Sequence, residues 1–468
     1  MHHRFPWCVA LVLRSLTLDM SILPSNKYAK RILQVATPAV AGLSSQMVVS
    51  IIDTAMVGRL ENSEIVLAAM GLGVLATWTI TSFFSSLATG THILVARRFG
   101  QGKHTEAGIV LNNSLFLSAV VGILFGIIGY IFSFEIINFF STDQQVAQAG
   151  SDYMKYRFLG LPFFLLAVSY RGFFYGIGET RLFMFSALVS YFFNILFNYL
   201  LIFGSWGFPK MGIAGAGLAS SLGMFLGWAF FVFVTFFPIY RKRYRYYDFL
   251  VIGLRYLQPI VRIGLPVSFQ NILILFGFLM FVALAGIIGT IEQAATQVVI
   301  TALFLSFMPC FGLGIAAQTL VGNALGNNKP HIAYRYGIDT GKIATIFTFC
   351  LGLVFFFVPE LILRIITPNE AIIHVTRPLL QLAGIAQVGY GFGIIMASSL
   401  QAAGATLYVM YAEIITHWFL FLPLAYVLGV VLNFGIFGAW LAMPIYIVSY
   451  TFMTWWKFRS GSWKTLKV

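Results

Sequence analysis

Twelve stretches of this chain run for about twenty residues or more with almost no charge, and each is separated from the next by a short polar break. A helix needs about 20 apolar residues to cross a bilayer, and in lipid every backbone polar group must find an internal partner. The stretches lie near 32–58, 66–95, 107–133, 154–177, 183–203, 213–238, 262–288, 294–321, 338–358, 378–402, 407–429 and 435–456. They are continuously apolar rather than alternating, which argues against a transmembrane β-barrel. The expected fold is all-α and polytopic, with twelve transmembrane helices.

Composition agrees. Of 468 residues, 59% are hydrophobic and 9% charged, against about 25% charged in soluble domains. A water-soluble enzyme and a disordered chain are both excluded on this ground. The net charge of +14 would suggest nucleic acid in a soluble protein, so the sidedness of the basic residues decides. With the N-terminus placed in the cytoplasm, 22 of the 29 Lys and Arg fall in cytoplasmic segments, six fall outside, and Arg171 lies within a span. That asymmetry places both termini in the cytoplasm and accounts for much of the charge without nucleic acid. The run RKRYRYYDF at 241–249 reads first as a topology determinant and second as a contact for anionic headgroups. Cys8, Cys310 and Cys350 have neither disulfide nor zinc spacing. The first 21 residues faintly resemble a signal peptide, but Arg14 and Asp19 interrupt the apolar run; a start at Met20 is an equal reading.

The chain repeats itself. LVARRFGQGK (94–103) aligns with LVGNALGNNK (320–329) at an offset of 226, and the same offset places FFSTD (139–143) on IITPN (365–369) and GET (178–180) on GAT (404–406). MGIAGAGLA (211–219) matches FGIFGAWLA (434–442), and Pro38 corresponds to Pro266. The organisation is six helices duplicated in parallel. A cytoplasmic segment 1–31 precedes a first lobe at 32–238, a link at 239–261, a second lobe at 262–456 and a tail at 457–468. Parallel repeats are transporter machinery, with substrate bound between the halves. No GxxxxGK[ST] sequence occurs, so energy would come from an ion gradient or a partner.

Ionisable residues inside spans are costly and point to function. Asp53 is the clearest case, late in span one. Gly42 and Gln46 share its helical face, and its counterpart in the second half is Phe281. The bland alternative is a carboxylate locked between helices. Asn194 and Asn198 lie one turn apart on span five, with Tyr191 and Ser190 a turn earlier. They can orient a carboxylate, help hold a cation, or serve as interhelical glue. Glu413 and His417, four apart on span eleven, read equally as a second proton relay or as a half-exposed pair near the cytoplasmic mouth. Gln387 and Tyr390 on span ten could line a cavity or a packed helix interface. Arg171 can snorkel. No catalytic or metal-ligating set stands at working spacing, so no enzyme, cofactor or bound metal is expected.

These residues resemble a known family. DTAMVGRL (53–60), ATGTHILVARRFGQG (88–102), GIGET (176–180), NYLLIFG (198–204), MGIAGAGLAS (211–220) and LVGNALGNNKPHIA (320–333) together resemble the multidrug and toxic-compound extrusion (MATE) transporters, nearer the DinF-like branch, over roughly residues 30–455. The resemblance implies two six-helix lobes around a V-shaped cleft and export of amphipathic, mostly cationic compounds in exchange for H⁺ or Na⁺. It places the family's first-helix aspartate on Asp53, its bend-forming proline on Pro38, its fifth-helix polar pair on Asn194 and Asn198, and a sixth-helix small residue on Ser220. Some members carry Asp at the position of Asn198. Many Na⁺-linked members have an acidic residue in helix ten, and span ten here has none, which favours H⁺. A monomer in a bacterial inner membrane is expected. The alternative within the same superfamily is a lipid-linked oligosaccharide flippase, which would want a cationic cleft; the sequence offers only Arg171. A channel or intramembrane enzyme lacks any supporting motif.

Overall fold

A computed structural model describes residues 23–141, 143–246 and 251–466. The signal-like N-terminus and Tyr247, Asp248 and Phe249 of the basic run lie outside the described residues. Eleven helices are long and apolar enough to cross a membrane, and a bent pair makes a twelfth. They are α1 (Asn26–Val57), α2 (Ser63–Gly100), α3 (His104–Ile131), α4 (Gln144–Leu159 continued by Leu161–Gly176), α5 (Thr180–Phe203), α6 (Ile213–Thr235), α7 (Leu254–Ile288), α8 (Thr290–Gly326), α9 (Pro330–Phe357), α10 (Glu370–Ala402), α11 (Thr406–Val431) and α12 (Gly435–Ser460). The largest departure from the sequence reading is α4. It begins at Gln144 rather than near 154 and bends by 47° between its two pieces. The bend falls at Gly160, where Pro162 opens the second piece and its ring leaves the preceding turn without a donor.

The duplication is visible residue by residue. Short helices Ser133–Phe140 and Pro359–Ile366 follow α3 and α9 at the offset of the repeat. Asp143 and Asn369 then cap α4 and α10 in the same way, each accepting two backbone N–H groups in the first turn. Capping satisfies donors that the helix itself cannot, so the repeat preserves the start signal as well as the apolar pattern.

The lobes meet at one end, the end where the basic segments lie. Among the described residues, hydrogen bonds between lobes run from Ser268 to the Phe83 carbonyl (2.6 Å), from Asn271 to Ser86 Oγ (2.9 Å), between His92 and Thr319 (2.9 Å), from Thr319 to the Tyr175 carbonyl (2.9 Å) and from Arg97 to the Ala403 carbonyl (3.3 Å). Glycines allow the close approach. A Cβ on Gly100 would collide with the Asn323 carbonyl, and one on Gly326 with the Arg97 carbonyl. These glycines hold the same place in the two repeated motifs, so α2 and α8 cross through copies of one sequence signal. The link is tied to the first lobe: Tyr244 and Tyr246 are buried, and Asn112 donates to the Tyr246 carbonyl at 2.6 Å. The C-terminal turn closes over the same end, with Trp463 fully buried and stacked on Phe458 at 4.7 Å.

Candidate functional site

Asp53 stands four residues before the end of α1, roughly 6 Å along the helix from it, at the end away from the seam. The α1 backbone is continuous through Pro38. Pro38 supplies no N–H, and near this break Thr180 Oγ1 donates to the Val35 carbonyl at 2.7 Å. Gly42 accepts the Phe183 ring where a larger side chain would not fit. Together these contacts set α1 against α5.

On α5, Asn198 is fully buried and its Nδ2 donates to Asp53 Oδ1 at 2.6 Å. Asn194 completes the pair. With its amide nitrogen toward Asp53 it donates to Oδ1 at 2.9 Å, while its oxygen accepts the Ser220 N–H at 3.3 Å. Turned over, its nitrogen reaches Ser220 Oγ at 3.3 Å and its oxygen faces the carboxyl. An ionised carboxylate only accepts, whereas a protonated one also donates. The first orientation satisfies both ends of the amide and is the one that the neighbouring groups fix. The α6 backbone comes close enough because residue 223 is glycine; a Cβ there would stand 3.0 Å from Asn194 Cβ.

The structure adds two residues that the sequence reading missed. Arg157 Nη1 donates to Tyr153 Oη at 2.7 Å and to Ser220 Oγ at 3.4 Å, and its guanidinium lies over the Tyr153 ring. Arg157 is the charge whose field reaches Asp53, without coming to ion-pair distance. The charge count had placed it in an outside loop, because the polar first piece of α4 was read as a connection. The signal was present as Tyr153 and Arg157 one turn apart, which puts both on one helical face.

Other expectations are corrected. Gln46 is exposed and makes no hydrogen bond among the described residues, so the shared face of α1 does not bring it to Asp53. Tyr191 lies a turn below Asn194, beside Arg171 and Tyr175, and is not bonded to the Asp53 cluster. Gln387 is buried, with both amide atoms unpartnered, at the crossing where Gly352 meets the Gly384 backbone; it belongs to helix packing rather than to a cavity wall. Tyr390 packs on Phe307 at 5.0 Å. Glu413 and His417 are 2% and 0% exposed, so the half-exposed reading of that pair fails. Phe281, at the position matching Asp53, packs against Phe421 and Trp440 at 4.8 and 5.3 Å. Among the described residues, no group of His, Cys, Asp and Glu is arranged to hold a metal ion.

The chain is similar over almost its whole length to proteins of one kind. It is 28% identical over 441 residues to the "Probable multidrug resistance protein NorM" of Thermotoga maritima, covering 93% of each chain. It is 27% identical over 412 residues to the "Multidrug resistance protein PmpM" of Pseudomonas aeruginosa, covering 86% of this chain and 84% of that one. A crystal structure of MATE in the bent conformation superposes with a TM-score of 0.86 at 20% identity, covering 95% of this chain and 97% of that one. The eukaryotic MATE transporter AtDTX14 gives 0.81 at 18% identity, covering 94% and 97%. The MatE family model matches twice, at residues 38–200 and 266–427, once in each repeat, and the chain belongs to the MatE family.

Proposed function

We propose that this chain is an antiporter that exports amphipathic, mostly cationic organic compounds, driven by H⁺ in preference to Na⁺. The observation that carries this reading is Asp53, half-buried in an apolar lobe and held by the amides of Asn194 and Asn198. The names of the bacterial relatives support the cargo, and their hosts support a bacterial inner membrane with the basic end in the cytoplasm. Nothing in the reading requires more than one copy of the chain.

The mechanism follows from donors and acceptors. The cleft opens away from the seam, and Asp53 in its ionised form accepts from Asn194 and Asn198. A cationic amphiphile is drawn to that charge. Protonation removes the charge and adds a donor, so Asn194 turns its oxygen to Asp53 and its nitrogen to Ser220. Cation affinity falls because its counter-charge is gone; each tenfold loss corresponds to about 1.4 kcal/mol. Pro38 gives α1 a place to change direction as its outer part loses one set of contacts. Arg157 keeps Ser220 and Tyr153 in place while this happens. A sodium ion could use the same oxygens, since Asn198 Oδ1 is buried and unpartnered. The two oxygens of an amide and a carboxylate make a thin shell for it, which favours the proton.

The flippase reading gains one cation, Arg157, over the sequence count. Arg157 is engaged with Tyr153 and Ser220, and Arg171 lies over the Phe183 ring, so the two do not converge as a pyrophosphate would need. Proteoliposomes with H⁺ and Na⁺ gradients imposed separately test the proposal. Export of ethidium that follows the H⁺ gradient and is lost in Asp53→Asn supports it. Lipid-linked sugar movement without any cation export would replace it.

A further inference from the structure

In the second lobe, α11 carries a cluster that the Asp53 mechanism does not use. Glu413 Oε1 accepts the Tyr446 hydroxyl at 2.6 Å and faces His417 Nδ1 at 3.3 Å. His417 Nε2 is buried and unpartnered, and its ring lies against Gly277 of α7, where any Cβ would strike it. The helix is wound wider than an α-helix over Ile414–Phe421, with the Leu422 N–H bonding back to the His417 carbonyl; such turns gather at functional sites. At the repeat offset Glu413 falls on Ala187 and His417 on Tyr191, and the first lobe builds the same architecture with those.

Among the described residues, none of the groups facing this cluster carries a compensating charge. The α12 helix presents Tyr446 and Tyr450, α10 presents Tyr390, and α7 presents Gln270. The charged or titratable ends of these helices, Arg255 and Arg262, Glu370, His374 and Arg377, and Lys457 and Arg459, lie toward their termini. A lone carboxylate in such a place is expensive, and Glu413 is met by the Tyr446 hydroxyl and the His417 ring. A row of amides leads away from it. Tyr450 adjoins Glu413 and Gln270, Gln401 donates to Gln270 at 3.2 Å, and Gln318 donates to Gln401 at 2.9 Å. Gln318 adjoins His92 of the first lobe. The row thus ends at the seam between lobes.

We propose that Glu413, His417 and Tyr446 form a second proton-binding site, closed off in this conformation and reached by water through the Gln270–Gln401–Gln318 row when the seam opens. With one proton, on His417 Nδ1 and donated to the carboxylate, the pair carries a charge of −1. A second proton, taken from hydronium, makes it neutral overall, and release returns that proton to water. No other bond changes. Its part in coupling rests on the antiport reading above, but its protonation does not.

Infrared difference spectra of the purified, full-length protein between about pH 5 and about pH 9, a range wide enough to span perturbed carboxyl and imidazole groups, read protonation without any transport assay. In an Asp53→Asn background a protonated-carboxyl band is expected to titrate. It should vanish with Glu413→Gln, and its midpoint should move by about one unit, tenfold in proton affinity, with His417→Gln. Gly100→Ala, which disturbs the seam, should speed hydrogen–deuterium exchange of that band. A band that never titrates, survives Glu413→Gln or ignores His417→Gln overturns the site, and unchanged exchange in Gly100→Ala overturns the route. Elution as a single species on size exclusion shows that each variant is folded.

Discussion

Gly100→Ala tests whether the seam is a closed gate held by packing. The added methyl would meet the Asn323 carbonyl, with the carbonyl carbon at 2.9 Å and Cα at 3.0 Å. The obstacle is backbone, so no side-chain rotation relieves it. Overpacking of this kind costs about 1–3 kcal/mol, and the cost falls only on states in which α2 and α8 touch. The ratio of closed to open seam should therefore drop by roughly five- to 150-fold. Gly326→Ala should act alike, because its methyl meets the Arg97 carbonyl and stands 3.1 Å from Gly100 Cα. Gly71→Ala is the control, since nothing lies within 4 Å of its new methyl. Spin labels at Lys30→Cys and His331→Cys, both exposed positions in opposite lobes, report the separation at the basic end once the native cysteines are replaced. The expected result is a longer distance population in both seam variants and none in the control. Wild-type distance distributions in both variants would falsify the close-packed seam.

Four further outcomes follow from particular contacts. Asp53→Asn should fold and lose gradient-driven export, since the amide is nearly isosteric but cycles no proton; retained H⁺-driven export at matched expression removes Asp53 from coupling. Asn198→Asp should keep transport but move its pH optimum upward, because a like charge beside Asp53 favours holding a proton, and a flat or downward shift refutes the adjacency. Thr319→Val removes the hydroxyl's bonds to His92 and to the Tyr175 carbonyl, a loss of about 1–3 kcal/mol for the two that should lengthen the same spin-label distances as Gly100→Ala. Cysteines placed at the exposed positions Arg241, Lys242 and Arg243 should be labelled only from the cytoplasm, and labelling from outside would invert the topology.

Much of this architecture was legible because a bilayer narrows the choices. Apolar run length gave the spans, and the repeat gave their pairing and aligned Asp143 with Asn369, which the structure shows to be matching caps. The α4 helix was misread for a physical reason: its first piece is amphipathic, burying Val146, Ala147, Met154 and Phe158 while Gln144, Gln145 and Gln148 stay exposed, so its mean hydropathy falls to that of a loop. That error hid Arg157 and Tyr153. Asp53, Asn194 and Asn198 were readable because buried polar groups in apolar helices stand out, whereas Ser220 came from the family resemblance alone. Gln46 shows the limit of helical-face arguments, since a shared face says nothing of where the neighbouring helices end. The partners of Glu413 come from α11 and α12, whose mutual rotation no one-dimensional pattern states.

The duplication makes the differences between lobes more informative than their likeness. Where the first lobe has Asp53, Asn194 and Asn198, the second has Phe281, Leu420 and Leu424; where the second has Glu413 and His417, the first has Ala187 and Tyr191. Each of these two clusters is thus matched in the other lobe by apolar or aromatic side chains. The two clusters also differ in depth. Asp53 is four residues from the end of α1 that lies away from the seam, whereas Glu413 is seven residues from the start of α11 at the seam end, roughly 10 Å along the helix. A symmetric pair of sites would titrate together from one compartment. Under the proposed antiport, sites offset toward opposite ends of the cleft would be exposed in turn as the seam closes and opens, and that offset is what an exchanger needs if it is to take a proton on one side and surrender it on the other.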